Sequence, residues 1–156
     1  MTGVLTNAIV ALLAAILFVA ARGDLRTREI PDRLTIAIAL LAIPYWWLAG
    51  LSVWPGVPIQ LALGIGTMLL FSLAFRIGWM GGGDVKLLAA LALWLPWPAF
   101  VKLLAVMSVA GGVLTIFYAI RHFRAKAEGK VEVPYGVAIV FGGFWLIGER
   151  FLNQFG

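Results

Sequence analysis

The chain has 156 residues, of which 63% are hydrophobic and 12% are charged, and its formal net charge is +5. A soluble domain is nearer half apolar and a quarter charged, so this composition excludes a disordered chain, a disulfide scaffold and almost any cytosolic enzyme. The chain has no cysteine, which excludes a thiol nucleophile, a cysteine zinc site and a redox pair. In a membrane protein an excess of lysine and arginine records orientation more often than a nucleic-acid partner, and we expect no nucleic acid.

Six apolar segments follow one another along the chain and predict an all-α, polytopic membrane protein with about six transmembrane helices. They cover residues 4–21, 34–51, 59–75, 85–95, 100–120 and 135–147. A span needs roughly 17–25 residues, so four segments qualify as they stand, and the last qualifies if it extends over 131–151. The first is interpreted as a retained helix rather than a signal peptide, because residues 1–3 carry no positive charge.

The cationic residues predict which way these helices point, because lysine and arginine in short loops stay in the cytoplasm. Six spans with the N-terminus outside place ten of the twelve cations on the cytoplasmic side: Arg22, Arg26, Arg28, Arg33, Arg76, Lys86, Arg121, Arg124, Lys126 and Lys130. Lys102 and Arg150 fall toward the other side. That outer side carries aromatic residues, which predict an interfacial belt of Tyr45, Trp46, Trp47, Trp54, Trp94 and Trp97.

Every acidic residue except Glu149 lies in or beside a cytoplasmic loop. Chemistry that uses carboxylates is therefore expected at the inner face of the membrane. Residues 1–156 contain no linker, repeat or low-complexity tract, so the sequence predicts a single transmembrane domain.

The fourth apolar segment is too short to span and follows three glycines and an aspartate, Asp84. It is either half a span or a helix that begins inside the protein at these glycines. Asp84 taken alone is typical of a helix N-cap. However, the short helix predicts a position below the lipid headgroups, where a carboxylate is costly and marks a functional site. Lys86, two residues on, is the expected charge partner of Asp84.

Asp24 is predicted just past the first span, where three neighbouring arginines could neutralise it without any function. Ile30-Pro31 marks a turn that returns the chain to the bundle, so Asp24 and Asp84 are expected at the same level on different helices. Two carboxylates in a partly dry site share one proton. The ionised one takes a proton from water, and the protonated one polarises the scissile carbonyl.

Three separated motifs together resemble the prepilin and preflagellin peptidases, which are intramembrane aspartic proteases. They are Asp24 with Ile30-Pro31, then Gly81-x-Gly83-Asp84-x-Lys86, and finally Pro134-Tyr135-Gly136. The resemblance implies that Asp24 and Asp84 are catalytic, that Gly81 and Gly83 shape the loop of the second aspartate, and that Lys86 supports it. No cofactor is implied.

The resemblance also implies a substrate: a prepilin or pseudopilin with a basic leader and one hydrophobic helix, cut at the cytoplasmic face of the bacterial inner membrane. Longer relatives carry a cytoplasmic cysteine region associated with methylation. This chain has no cysteine and three residues before its first apolar segment, so it looks like the short form that serves tight-adherence (Flp) pili, without methylation.

Five further residues are candidates for substrate binding. Asp32 stands where many relatives have asparagine; it either caps the second helix or joins Glu29 in attracting the basic leader. Pro134, Tyr135 and Gly136 open the last helix in the resembling family.

Other chemistries are poorly supported by the sequence. His122, the single histidine, has no neighbours at ligand spacing, so we expect no metal, and no Gly-x-Ser-x-Gly motif accompanies the serines. A non-enzymatic subunit of a pilus or secretion assembly would explain the spans but not the two aspartates. A small ion-coupled transporter would use Asp84 and Lys86 as a relay, yet the middles of the spans are almost bare of polar residues.

Overall fold

Apolar segments of this length fold as helices because lipid offers no partner to an unpaired backbone group. The computed structural model describes residues 2–125 and 133–152, which contain six α-helices and no β-strand. The helices are α1 (Thr2–Thr27), α2 (Asp32–Leu48), α3 (Gly56–Arg76), α4 (Gly82–Ala92), α5 (Trp97–Arg124) and α6 (Tyr135–Leu152). The all-α prediction is confirmed.

Four of these helices, α1, α3, α5 and α6, are long and apolar enough to cross a membrane. The helix α2 has 17 residues and α4 has 11. The count of about six spans and the outward N-terminus stay predictions. So does part of the charge count, because Lys126 and Lys130 lie outside the described residues.

The short helix α4 occupies the middle of the bundle and packs against α2, α3 and α6. From Asp84 to Ala92 every residue except Lys86 is buried. Eleven residues rise only about 16 Å, roughly half of the hydrocarbon thickness. The helix begins at the glycines, and its length is that of half a span, so both sequence interpretations stay predictions.

Polar side chains donate hydrogen bonds to carbonyl groups at the C-terminal end of α4 and just after it, where these groups have no partner within the helix. The Gln60 side-chain amide of α3 donates to the carbonyl oxygens of Ala92 and Leu95, both at 2.7 Å. The Trp46 indole donates to Leu93 O at 2.7 Å. These bonds satisfy carbonyls that would otherwise be buried without donors.

One member of the predicted aromatic belt lies elsewhere. Trp94 is only 5% exposed, and its indole donates to Ile38 O at 2.9 Å inside the bundle. Its ring also stacks on Tyr45, with 4.8 Å between the centroids. The belt assignment of Trp94 is therefore wrong, because its N–H group serves a buried carbonyl rather than the lipid interface. Trp47, Trp54 and Trp97 are exposed.

Contacts between distant residues assemble one end of the bundle. Asp24 of α1 bonds to Val137 of α6, and Arg28 lies over Tyr118, near the end of α5. The loop between α1 and α2 also lies against the start of α4. The C-terminal ends of α1 and α5 and the N-terminal ends of α2, α4 and α6 are thus brought together, and the candidate site lies there.

Candidate active site

Asp24 lies within α1. The sequence analysis had placed it in the loop after the first helix. The helix continues to Thr27, and the Arg28 N–H still bonds to Asp24 O at 3.1 Å, so the helical pattern persists to the end. The Asp24 side chain is 4% exposed and points toward α6. There the main-chain N–H of Val137 donates to Asp24 Oδ2 at 3.0 Å.

Gly136 makes this approach possible. A Cβ at this position would lie 2.8 Å from Asp24 Oδ2 and 2.7 Å from Ile30 Cδ1. Real Cβ atoms do not come so close, so any side chain here would displace the carboxylate, Ile30 or α6 itself.

Asp84 is the third residue of α4 and is 8% exposed. It is not the N-cap, which was its alternative interpretation; Gly81 holds that position and accepts the first helical bond from Val85 at 3.2 Å. Burial, and after it the negative charge of Asp24, raise the pKa of Asp84 to about 7, while a hydrogen bond from the Gly81 backbone opposes the shift.

The glycines before Asp84 provide space rather than an unusual backbone conformation. A Cβ on Gly83 would lie 3.1 Å from Ile30 Cβ, and one on Gly81 would lie 3.0 Å from Asp84 Oδ2. Neither glycine has a positive φ; in the described part of the chain the positive-φ glycines are Gly50 and Gly78. The small size of Gly81 and Gly83 lets the loop between α1 and α2 pack directly on the start of α4.

This packing places both aspartates on one cavity of about 440 Å³. Asp24 and residues 27–32 form one wall, and residues 81–84 form the other. The volume is within the usual range of ligand sites, roughly 300–1,000 Å³. Two carboxylates that are 60 positions apart in the chain therefore meet at one site, which we call the dyad.

Lys86 does not pair with Asp84, contrary to the sequence prediction. Its Nζ lies 2.7 Å from Oδ1 of Asp32, and the two side chains are 42% and 62% exposed. Asp84 is buried and lines the cavity, whereas Lys86 reaches outward to the start of α2. Asp32 consequently makes an ion pair with Lys86, and its side chain makes no capping bond to α2.

The remaining candidates divide between the cavity and its support. Glu29 is exposed and lines the cavity. Pro134 is buried, and Tyr135 shares a hydrogen bond with Thr115 Oγ1 of α5 at 3.2 Å. The described cavity walls include neither Pro134 nor Tyr135. These two residues fix the start of α6, which carries Gly136 to Asp24.

Arg28 lines the same cavity; sequence reasoning counted it among the orienting cations and among the three arginines that could neutralise Asp24, but not as a site residue. It has φ +58°, a left-handed conformation that costs an L-residue roughly 1–2 kcal/mol. Its guanidinium carbon lies 4.9 Å from the centroid of the Tyr118 ring. Its Nη1 is buried and finds no acceptor within residues 2–125 and 133–152. The sequence carried no signal for this position, because hydropathy does not show that α1 continues to Thr27.

No metal site is visible in the described residues, where no three His, Cys, Asp or Glu side chains come together as ligands. The described cavity walls offer carboxylates, main-chain groups, the Thr27 hydroxyl and the guanidinium of Arg28. Two carboxyl groups on one cavity can exchange protons with each other and with a bound molecule.

The fold and site define a helical membrane protein with a buried carboxylate dyad at one end of its bundle. The model of the type IV leader peptidase family matches residues 11–116, which include both aspartates. The chain belongs to this family. The matched region ends within α5, so the contribution of α6 to the site comes from the structure.

The chain is also similar to curated proteins that are named as prepilin leader peptidases. The chain is 32% identical over 143 residues to the prepilin leader peptidase/N-methyltransferase of two Burkholderia pseudomallei strains, 1026b and K96243; the match covers 84% of this chain and 43% of the relative. The protein of that name from Pectobacterium carotovorum is 30% identical over 137 residues, which cover 85% of this chain and 48% of the relative. The chain thus spans less than half the length of these relatives. No solved structure matches it significantly.

Proposed function

We propose that this chain is an intramembrane aspartic endopeptidase that removes the leader of type IV prepilins. One observation carries the proposal: Asp24 and Asp84, on different helices, are both buried and line one cavity. Unpaired carboxylates are rarely buried in pairs without a function, since bringing them together is costly. Membership of the type IV leader peptidase family supports the same reaction.

The reaction is hydrolysis of one peptide bond by a water held between the carboxylates. The ionised carboxylate takes a proton from this water while the oxygen of the water bonds to the scissile carbonyl carbon. The protonated carboxyl gives its proton to the carbonyl oxygen. The resulting diol returns a proton to the second carboxylate, the first carboxyl gives the proton that it took from water to the amide nitrogen, and the carbon–nitrogen bond breaks. The products are a new carboxyl group on the leader and a new amino group on the pilin.

A more specific proposal concerns the class of prepilin and the face of the membrane at which it is cut. We assign the substrate to the Flp-type prepilins, with a basic leader before one hydrophobic helix, and the cut to the cytoplasmic face of the bacterial inner membrane. The cytoplasmic face is supported by the ten cations predicted on the side of the dyad, and the substrate by the family resemblance described in the sequence analysis. We treat residues 1–156 as one peptidase domain and limit the proposal to leader removal.

The test is co-expression with a Flp-type prepilin, with its size followed on a gel. The unaltered protein is expected to shorten the prepilin, and Asp24→Asn or Asp84→Asn to abolish shortening, because asparagine keeps the shape but cannot share the proton. Asp32→Asn is the matched control: it makes the same chemical change at the rim of the same cavity and should retain processing.

Membrane fractionation shows whether each variant still inserts. Processing by Asp24→Asn or by Asp84→Asn would contradict the mechanism. If the unaltered protein leaves the prepilin uncut, a non-enzymatic role in pilus assembly becomes the better account. A parallel expression with a pseudopilin substrate tests the proposed preference for Flp-type prepilins.

A further inference from the structure

Arg28 occupies a backbone position that favours glycine. Its φ of +58° is the one positive φ found on a non-glycine residue in the described part of the chain. Glycine is the usual residue just after a helix, because it enters the left-handed region without steric cost. An arginine at this point is therefore less stable than glycine would be, and such outliers point to a role for the side chain.

The Arg28 side chain is held in place near the dyad. The guanidinium lies over the face of Tyr118 in α5, 4.9 Å from the ring centroid, which is cation–π distance. Arg28 also lines the cavity that contains Asp24. The ion pairs found within 4 Å in the described residues are Lys86–Asp32 and Lys102–Glu149, so the charge of Arg28 acts on Asp24 through space.

The two aspartates have different surroundings. Asp24 accepts the Val137 N–H at 3.0 Å and has the positive charge of Arg28 on its side of the cavity, and both favour a carboxylate. Asp84 also receives a hydrogen bond from the Gly81 backbone, but the cation nearest to it in sequence, Lys86, is paired with Asp32. Two carboxylates on one cavity do not both ionise easily. The shared proton therefore goes to Asp84, whose surroundings favour the ionised form less.

The other charged and titratable groups around Asp24 do not reverse this difference. The loop after α1 contributes Glu29, and α2 contributes Asp32, whose charge Lys86 of α4 offsets. From α6 comes Tyr135, whose hydroxyl is engaged by Thr115. Tyr118 of α5 lies under Arg28.

We propose that Asp24 is the ionised member of the dyad, that Asp84 holds the shared proton, and that Arg28 is the positioning residue that sets this order. Combined with the proposed function, on which its catalytic meaning rests, this makes Asp24 the acceptor of the proton from water. Asp84 is then the acid that protonates the carbonyl oxygen.

Protonation can be measured without any cleavage, because the chain has three aspartates, Asp24, Asp32 and Asp84. Carbon NMR of the full chain in detergent, labelled with ¹³C at the aspartate carboxyl, should show three signals, assigned by single Asp→Asn variants. At pH 6 we expect the Asp24 signal at the chemical shift of an ionised carboxylate and the Asp84 signal at the chemical shift of a protonated carboxyl group. The opposite order would overturn the proposal, whether or not the protein cleaves prepilin.

Substitutions of Arg28 test whether this residue favours the ionised form of Asp24. In Arg28→Gln the titration of the Asp24 signal, and the acid limb of the cleavage profile, should move to higher pH by about half a unit or more, since a favourable charge is lost. Arg28→Lys should restore most of the shift. Arg26→Gln, which removes an equal charge from an exposed neighbour, is the matched control and should leave both measurements in place. Equal shifts in the two glutamine variants, or none, would contradict the role of Arg28.

Arg28→Gly separates this role from a structural one. Glycine suits the left-handed backbone, so the variant should unfold at the same temperature as the unaltered protein or higher. Its Asp24 titration should nevertheless move as in Arg28→Gln. A glycine variant that titrates normally would sink the proposal.

Discussion

The main-chain amide of Val137 donates to Oδ2 of Asp24 at 3.0 Å, across 113 positions of the chain. A bond from the backbone does not depend on the side chain at position 137. It depends on how closely α6 approaches α1, and the preceding residue, Gly136, decides that distance. The start of α6 is thus part of the candidate site although it contributes no acid.

Gly136→Ala is therefore expected to lower leader cleavage strongly, by about tenfold or more, since a one-ångström displacement of a catalytic group is costly. The new methyl group would lie 2.8 Å from Asp24 Oδ2. Cleavage kinetics in detergent would measure the loss.

Gly112→Ala in α5 is the control for a helical glycine. A Cβ there would have no neighbour within 4 Å, and alanine favours a helix by about 0.5–1 kcal/mol. This variant should cleave normally and unfold no more easily. Normal cleavage by Gly136→Ala would show that the approach of α6 is not needed.

The stability of the protein is expected to depend on pH through Asp84. The folded-state pKa is raised from the ordinary 3.8 to about 7, so the neutral side chain stabilises the fold fully below pH 3.8, and this contribution is lost as the pH rises through 7. Asparagine cannot ionise. Asp84→Asn should therefore be more stable than the unaltered protein at pH 8, by on the order of 1 kcal/mol or more, and should differ less at pH 4.

Thermal unfolding in detergent at the two pH values would measure this difference. Asp32→Asn, at an exposed ion pair, serves as the control and should change little at either pH. A stabilisation by Asp84→Asn of equal size at pH 4 and pH 8 would argue against a raised pKa.

Glu29 and Asp32 are expected to attract a basic leader unequally. Lys86 offsets the charge of Asp32, whereas Glu29 is exposed at the cavity. Glu29→Gln should raise the KM for a prepilin by roughly threefold with kcat unchanged, and the effect should shrink in high salt, because screening weakens attraction between exposed charges. Asp32→Asn should have a smaller effect. Unchanged kinetics in both variants would rule out this attraction.

Gln60 is expected to stabilise the end of α4. Gln60→Leu removes the donor to two carbonyl groups, those of Ala92 and Leu95, and leaves them without that partner in an apolar environment. The free energy of unfolding should fall by about 1–3 kcal/mol. Ser72→Ala is the control: its hydroxyl is exposed and bonds only to Met68 O of its own helix, so it should have almost no effect. A neutral Gln60→Leu would mean that other groups satisfy these carbonyls.

Several features of the site were accessible from the sequence because they depend on local pattern. The apolar segments predict the helices, and the short fourth segment with its glycines indicates that Asp84 is buried. Other features were not accessible. The partner of Lys86 proved to be Asp32, and Trp94 proved to be internal, because side-chain direction depends on which neighbouring helix offers a partner. The position of Asp24 within α1 was missed because hydropathy falls before the helix ends.

The sequence by itself determined an all-helical membrane protein, its family motifs and the identity of the two acids, since hydropathy and motif spacing are properties of the chain. The tertiary structure alone decided that α6 donates to Asp24, that glycines admit the loop before α2, and that Arg28 lies over Tyr118. These contacts join residues from separate helices. Their geometry follows from the packing of whole helices, which no short stretch of sequence encodes.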